Sequence, residues 1–244
     1  MPKGKGKGDR LQRVAIIGGA GDGSVVAEAL MFSKAAGRRV ELLGFLNDEF
    51  KPGLKIYGFP VLGRLDDWHQ LDDDVVFAWA LQRVGQMPAR IRRMRGLAIP
   101  DHRWTSVRHP TCVVASSAEV GIGTFIASCA TVQPLARIGQ FAGLRAGVSI
   151  GHHAVVGEHA YVGPNATMCG YSVLGEGSTL GPNAVILERT TVGSYVVIGI
   201  GAAVTKNVAS GAARSFDSTR HRGYLKSGRA VRCRKGHTGD GFGS

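Results

Sequence analysis

Two adjacent imidazoles, His152 and His153, stand in "SIGHHAVVGEHAYVGPNATMCG", residues 149–170, among glycines, alanines and single aliphatics. A neutral imidazole accepts a proton near pH 7. Attack of an amine or hydroxyl on a thioester needs such a base, because the nucleophile sheds a proton as it attacks. It also needs donors for the developing oxyanion, which backbone N–H groups supply. The alternative for His152 is a solvated turn histidine. His159 and Tyr161 follow close behind. Cys169 is a second candidate nucleophile, but no activating partner stands beside it in sequence, and buried filler is the competing reading.

A second constellation lies near the N-terminus. "GGAGDGS", residues 18–24, follows the apolar run "RVAII" and precedes a helical pattern. Backbone N–H groups at such a turn, with the helix dipole behind them, favour an anionic group. The turn does not match GxGxxG, since Ser24 takes the last position, and a tight packing turn is the alternative. "FLND", residues 45–48, ends a second apolar run with Asn47 and Asp48. In open parallel sheets the carboxyl ends of strands face the ligand crevice, where Asp48 can meet a ribose or base. A turn-capping aspartate is the other possibility.

These residues need elements to hold them. Stepping by six from Val114 gives Val120, Ile126, Val132, Ile138, Leu144, Ile150, Val156, Val162, Met168, Leu174, Leu180, Ile186, Val192, Ile198 and Val204, all aliphatic or methionine. Four residues after each stands a small or β-branched residue, from Ala118 to Val208, and glycine follows the aliphatic in nine of the sixteen repeats. Six is neither a helix nor a hairpin period. It describes a short flat strand and a tight turn, three of which close a triangular coil of about 18 residues, stacking as a parallel β-helix. Glycine, asparagine and aspartate are expected to supply the corner angles. His152 then falls at a corner, pointing outward.

Residues 11–105 read differently. "RVAIIGGAGDGSVVAEALMFSKAAG" is a strand, a Gly-rich turn and a helix with Val25, Ala29, Phe32 and Ala36 at helical spacing. "RRVELLGFLNDE" is a second strand, "YGFPVLGRLDDW" a turn leading to a short helix, "DDDVVFAWAL" a third strand, and "MPARIRRMRG" a basic helix. Alternating strands and helices imply a small parallel sheet, α/β and Rossmann-like, with helices on its faces.

Composition bounds the alternatives. The 244 residues carry a formal net charge of +12, but Lys3, Lys5, Lys7 and Arg10 lie in the first ten residues and eight Lys/Arg lie in 214–244. The stretches 1–10 and 211–244 are Gly- and Arg-rich and read as disordered basic tails. They can touch nucleic acid nonspecifically. No aromatic-plus-basic platform for specific recognition accompanies them. No apolar run reaches the roughly 20 residues of a membrane span, and no signal peptide opens the chain, so a cytoplasmic location is expected. The four cysteines form no CxxC pair, which points to free thiols. No metal is expected: a β-helix zinc site of the carbonic anhydrase type needs a further histidine about two coils upstream, where Ser116 and Ser117 stand.

With the sixfold repeat, the corner histidine and "IIGGAGDGS…GFLNDE…GFPVLG" in place, the chain resembles the bacterial hexapeptide-repeat sugar acyltransferases typified by sialic acid O-acetyltransferase and UDP-4-amino-sugar N-acetyltransferase, over about residues 12–208. The resemblance implies a left-handed β-helix over 106–210 after a nucleotide-sugar-binding domain over 11–105. It also implies a homotrimer with sites between neighbouring β-helices, and acetyl-CoA as co-substrate lying along the coils. His152 matches the general base, and His153 stands where the family has an acidic residue; Glu158 is the nearest carboxylate that can substitute. Ala20, Gly21 and Asp22 match the loop that holds the nucleotide-sugar, Asp22 standing where a histidine is common. Asn47 and Asp48 match an acidic pair contacting the nucleotide, and Ala80 follows the third strand where a glycine is usual. Tyr161 falls where a family histidine meets the acetyl thioester, and Gly170, Pro182 and Ile200 fall at CoA-binding positions.

The expectation is therefore an acetyl-CoA-dependent transfer to a sugar by direct attack, with an amine of a nucleotide-linked amino sugar preferred. The competing readings are O-acetylation of sialic acid or a related sugar, a non-catalytic nucleotide-sugar-binding trimeric scaffold, and a nucleic-acid role for the tails.

Overall fold

The computed structural model describes residues 11–211 together with the backbone of 213 and 214. The expected disorder of 1–10 and of 215–244 lies outside the described residues. The first half is built on β1 (Gln12–Gly18), α1 (Asp22–Ala35), β2 (Val40–Leu46), β3 (Lys55–Ile56), β4 (Phe59–Gly63), a 3₁₀ turn over Leu65–Gln70, β5 (Val75–Ala80) and α2 (Met87–Gly96). The sheet order is β3-β4-β2-β1-β5. The last four are parallel neighbours, and β3 joins β4 antiparallel.

The sheet is thus mixed where an all-parallel one was expected. The turn expected in "YGFPVLG" is confined to Tyr57 and Gly58, whose φ of 51° and 81° make a two-residue hairpin turn, and Phe59–Gly63 after them form β4. The reversal of strand order falls between β1 and β5, where ligand crevices open in such sheets.

Helix α1 buries Gly23, Val26, Ala27, Ala29, Leu30 and Ser33. The expected stripe is rotated, because Val25 and Phe32 are 46% and 48% exposed. A close approach sets the rotation. A Cβ on Gly23 would lie 3.0 Å from the Phe45 ring, so the helix rests on β2 through that glycine.

From Val107 the chain winds as a left-handed parallel β-helix of two-residue strands and tight corners. One face carries Val113–Val114, Thr131–Val132, Ser149–Ile150, Thr167–Met168, Val185–Ile186 and Ala203–Val204. The second carries the strands beginning at Glu119, Arg137, Val155, Val173 and Thr191, and the third those beginning at Val107, Phe125, Gly143, Tyr161, Thr179, Val197 and Ala213. Each strand pairs in parallel with its counterpart one coil away, as Thr131 does with Ser149. Every aliphatic of the sixfold frame is the inner residue of its strand, and these side chains with the small corner residues form one continuous core. The pairing of Ala213–Arg214 with Val197–Ile198 carries the β-helix past the expected boundary at 210.

The corner chemistry differs from expectation. Left-handed φ falls on the third residue after the aliphatic, and Cys129, Leu135, Phe141, His153, His159, Tyr171, Arg189 and Tyr195 adopt it along with Asn165 and Asn183. The conformation aims that residue's N–H at a carbonyl of the preceding coil, as His153 N–H donates to Pro134 O at 3.1 Å. This bond recurs from Phe141 to Tyr195, while Cys129 and Leu135 donate instead to the hydroxyls of Thr111 and Ser117 one coil back, and it offsets a backbone cost of about 1–2 kcal/mol. The glycines after the aliphatic have another reason. A Cβ on Gly151 would sit 2.7 Å from the backbone nitrogen of Gly170 in the next coil.

The N-terminal domain seats on the third face. Val107, Phe125 and Ala127 share a core with Val26, Leu30 and Phe45 of α1 and the sheet, while Trp104 meets Phe141 edge-on at 5.1 Å.

Candidate active site

His152 and His153 occupy the corner between the first and second faces, and both are exposed. Their Nδ1 atoms are 3.2 Å apart. The corner is held from both sides. Gln133 Oε1 accepts from the His152 backbone N–H at 3.2 Å, and Tyr171 N–H donates to the His152 carbonyl at 3.0 Å. The His153 ring stacks on Tyr171 at 4.6 Å with 16° between planes, and the Arg189 guanidinium lies 4.4 Å from the centre of the Tyr171 ring. His152 meets Tyr171 edge-on at 5.3 Å. Gly170 lies beneath His152: a Cβ there would come within 2.8 Å of the ring Nε2.

The other residues near in sequence are elsewhere in space. Glu158 stands on the corner between the second and third faces, in an open groove with Glu119, Arg137 and Gln140, so it does not replace the missing acidic neighbour of His152. His159, on that same corner, is only 2% exposed and stacks on Phe141 at 5.2 Å with 7° between planes. Burial first, then the charge of Arg95, lowers its pKa to about 4, opposed by Glu176. It is a neutral packing residue. Tyr161 lies in the third face, under the N-terminal domain.

At the Gly-rich turn, Ala20 and Gly21 are exposed, and no side chain caps α1. Ala80 packs its Cβ against Gly18, which has room for no Cβ of its own. Asn47 is buried and clamps the loop: Nδ2 donates to Gly18 O at 3.0 Å, and Oδ1 accepts from the N–H groups of Glu49 and Phe50. Its side-chain oxygen is therefore committed within the chain. Asp48 accepts from Leu65 N–H at 3.1 Å and from Arg93 at 3.2 Å, leaving part of its carboxylate open.

Asp22 is paired. Arg145 of the β-helix reaches it, and that guanidinium is 5% exposed, 4.9 Å from the Tyr161 ring centre and 5.4 Å from that of Phe125. Burial pushes the Asp22 carboxyl up and Arg145 opposes the shift. Asp22 is thus half of a neutral pair rather than a bare anion at the turn, which removes its repulsion toward a phosphate. Sequence reasoning missed Arg145, Tyr171 and Arg189. One signal for Arg145 existed: it follows Leu144, at the place where most repeats have glycine.

Pro182 and the 71% exposed Ile200 stack on the corner between the third and first faces, with Gly201 N–H donating to Pro182 O at 2.9 Å. Lower on that side, an apolar crevice of ≈ 350 Å³ opens between α1 and the coils, lined in part by Ser24, Phe32, Tyr57, His109 and Ala146. The histidine corner lies opposite the face that carries the N-terminal domain. One chain therefore does not bring His152 to its own Gly-rich turn. Among the described residues no group of three His, Cys, Asp or Glu side chains is placed to hold a metal, and no helix is long and apolar enough to cross a membrane.

The fold class is a Rossmann-like N-terminal domain on a left-handed β-helix, and solved structures share it. The acetyltransferase domain of PglB from Neisseria gonorrhoeae FA1090 aligns at 26% identity, covering 84% of this chain and 97% of that one, with a TM-score of 0.74. The same domain in complex with acetyl coenzyme A aligns at 27% identity over 84% and 96%, also at 0.74. PerB from Caulobacter crescentus, in complex with CoA and GDP-perosamine, has the same fold at 23% identity over 85% and 95%, with a TM-score of 0.69. No family model and no curated protein sequence matches the chain.

Proposed function

We propose that the chain is an acetyl-CoA-dependent sugar N-acetyltransferase with His152 as general base, acting on an amine of a nucleotide-linked amino sugar. The observation that carries this reading is an exposed imidazole whose Nδ1 is engaged by a neighbour, with no hydrogen-bond partner for the other ring nitrogen among the described residues. The fold it sits on is shared with an acetyltransferase domain solved with acetyl coenzyme A. In the proposed step the acceptor nitrogen attacks the acetyl carbonyl carbon. The new C–N bond forms, the C–S bond breaks, and the proton shed by the amine passes to His152 and then to the CoA thiolate.

The reading includes a homotrimer, because one chain separates the base from the nucleotide turn. Two faces of the prism are otherwise engaged: the third carries the N-terminal domain, and the second is charged, with Glu119 and Arg137 pointing outward. The first face presents only Val113, Thr131, Ser149, Thr167, Val185 and Ala203, without a charge. Three such faces packed about a common axis set the His152 corner of one copy beside the Pro182–Ile200 corner of the next. CoA then lies between them, and the Gly-rich turn of that next copy holds the acceptor. The proposed location is the cytoplasm, where acetyl-CoA is available.

The test is an acetyl-transfer assay with acetyl-CoA against nucleotide-linked amino sugars and free sugars. Transfer to the former is expected, with His152→Ala slowing it by roughly 10²–10⁴ while CoA affinity stays nearly constant. Full activity in His152→Ala, or acetylation of hydroxyls alone, overturns the reading.

A further inference from the structure

We propose that His153 is a positioning residue: its Nδ1 accepts a hydrogen bond from the Nδ1–H of His152 and so selects the tautomer in which Nε2 of His152 is free to take a proton. The inference rests on the reading of His152 as the base and assigns what replaces the acidic neighbour.

The argument starts from the 3.2 Å between the two Nδ1 atoms. A hydrogen bond there needs one proton between two nitrogens, so one Nδ1 carries it and the other is bare. The bond on one ring nitrogen decides the state of the other. If His153 donates, Nε2 of His152 holds the proton and cannot act as a base. If His152 donates, Nε2 is bare. When it then takes the substrate proton, the imidazolium keeps the same Nδ1–H bond, now charge-assisted. Only this direction lets the transfer proceed without rearranging the pair.

His153 is built to stay in place. Its N–H is fixed to Pro134 O of the preceding coil at 3.1 Å, its backbone is held at a φ of 59°, and its ring is backed by Tyr171. The groups facing the pair are Gln133 from the coil before and Tyr171 and Arg189 from the coils after, with Glu188 paired to Arg189 at 3.4 Å. Among the described residues no ion pair involves either imidazole, so the ring nitrogen that faces His152 Nδ1 is the one on His153.

The experiment is a long-range ¹H–¹⁵N correlation spectrum of the His152 ring in the full chain near neutral pH, without substrate. It compares the native protein with His153→Phe and His153→Glu. The phenylalanine keeps an aromatic ring on Tyr171 and removes the acceptor; the glutamate supplies another acceptor. A protonated Nδ1 and bare Nε2 on His152 are expected in the native protein and in His153→Glu, with a shift to protonated Nε2 in His153→Phe. A bare Nδ1 on native His152, or the same tautomer in His153→Phe, overturns the proposal. Acetyl transfer is measured in parallel: His153→Phe is expected to lose at least about tenfold in kcat, and His153→Glu to recover it. Absence of transfer by the native protein defeats the functional reading alone, because the tautomer is read without substrate.

Discussion

Arg145 reaches from the β-helix to Asp22 in the first turn of α1, and this ion pair ties the two halves of the chain together. The guanidinium is buried between two aromatic rings, so removing it leaves a partly buried carboxyl unpartnered. Arg145→Met is expected to destabilise by about 2–4 kcal/mol, somewhat less than for a fully enclosed pair, since the Asp22 side chain keeps 26% of its surface. Urea unfolding checks this, and Arg145→Met combined with Asp22→Asn should recover part of the loss.

The His159–Phe141 stack sets an acid limit on stability. His159 titrates near 4 in the fold against an ordinary 6.5, so between those values the unfolded chain binds more protons and stability falls as pH drops. The loss is on the order of 3 kcal/mol across that window and absent above it. His159→Phe keeps a ring on Phe141 and has nothing to protonate, so its unfolding free energy should change less between pH 7 and 4.

Coil spacing makes Gly151 irreplaceable by even a methyl group. Gly151→Ala drives a Cβ to within 2.7 Å of the next coil's backbone and is expected to destabilise by about 1–3 kcal/mol. Gly96→Ala, at the end of α2 with no atom within 4 Å of the new Cβ, is expected to be neutral or to stabilise by about 0.5 kcal/mol. Paired thermal melts of the two variants separate close approach from intrinsic preference.

Assembly through the uncharged face is tested at Val185. Val185→Arg places a charge where the proposed axis runs. The expected result is single chains in sedimentation, unchanged circular dichroism, and loss of acetyl transfer. Retention of the native assembly by this variant would count against the axis.

The sixfold frame was legible in the sequence because one physical demand, a narrow dry interior, repeats at every coil. The α1 stripe was not, because a glycine contact with Phe45 decides the helix rotation and leaves only a weak pattern. β4 was hidden because Pro60 and two glycines look like a turn when read locally, although parallel pairing with β2 and a hairpin with β3 hold Phe59–Gly63 extended. At the corners, residue type was a poor guide: bulky side chains accept left-handed backbone where an intercoil hydrogen bond enforces it. At the candidate site, spacing placed His152 on a corner, but it could not show that Glu158 and His159 turn away from it, that Tyr171 and Arg189 stack beside His153, or that Asp22 has a partner more than a hundred residues away.

The regular winding of the second half also fixes what kinds of length change the molecule tolerates. Position along the chain acts as an angle around the prism. Adding or removing a whole coil of about 18 residues before His152 only raises or lowers the imidazole along its edge. A single six-residue unit would swing it about a third of a turn, onto a different edge, with every local contact intact and the reaction partners out of reach.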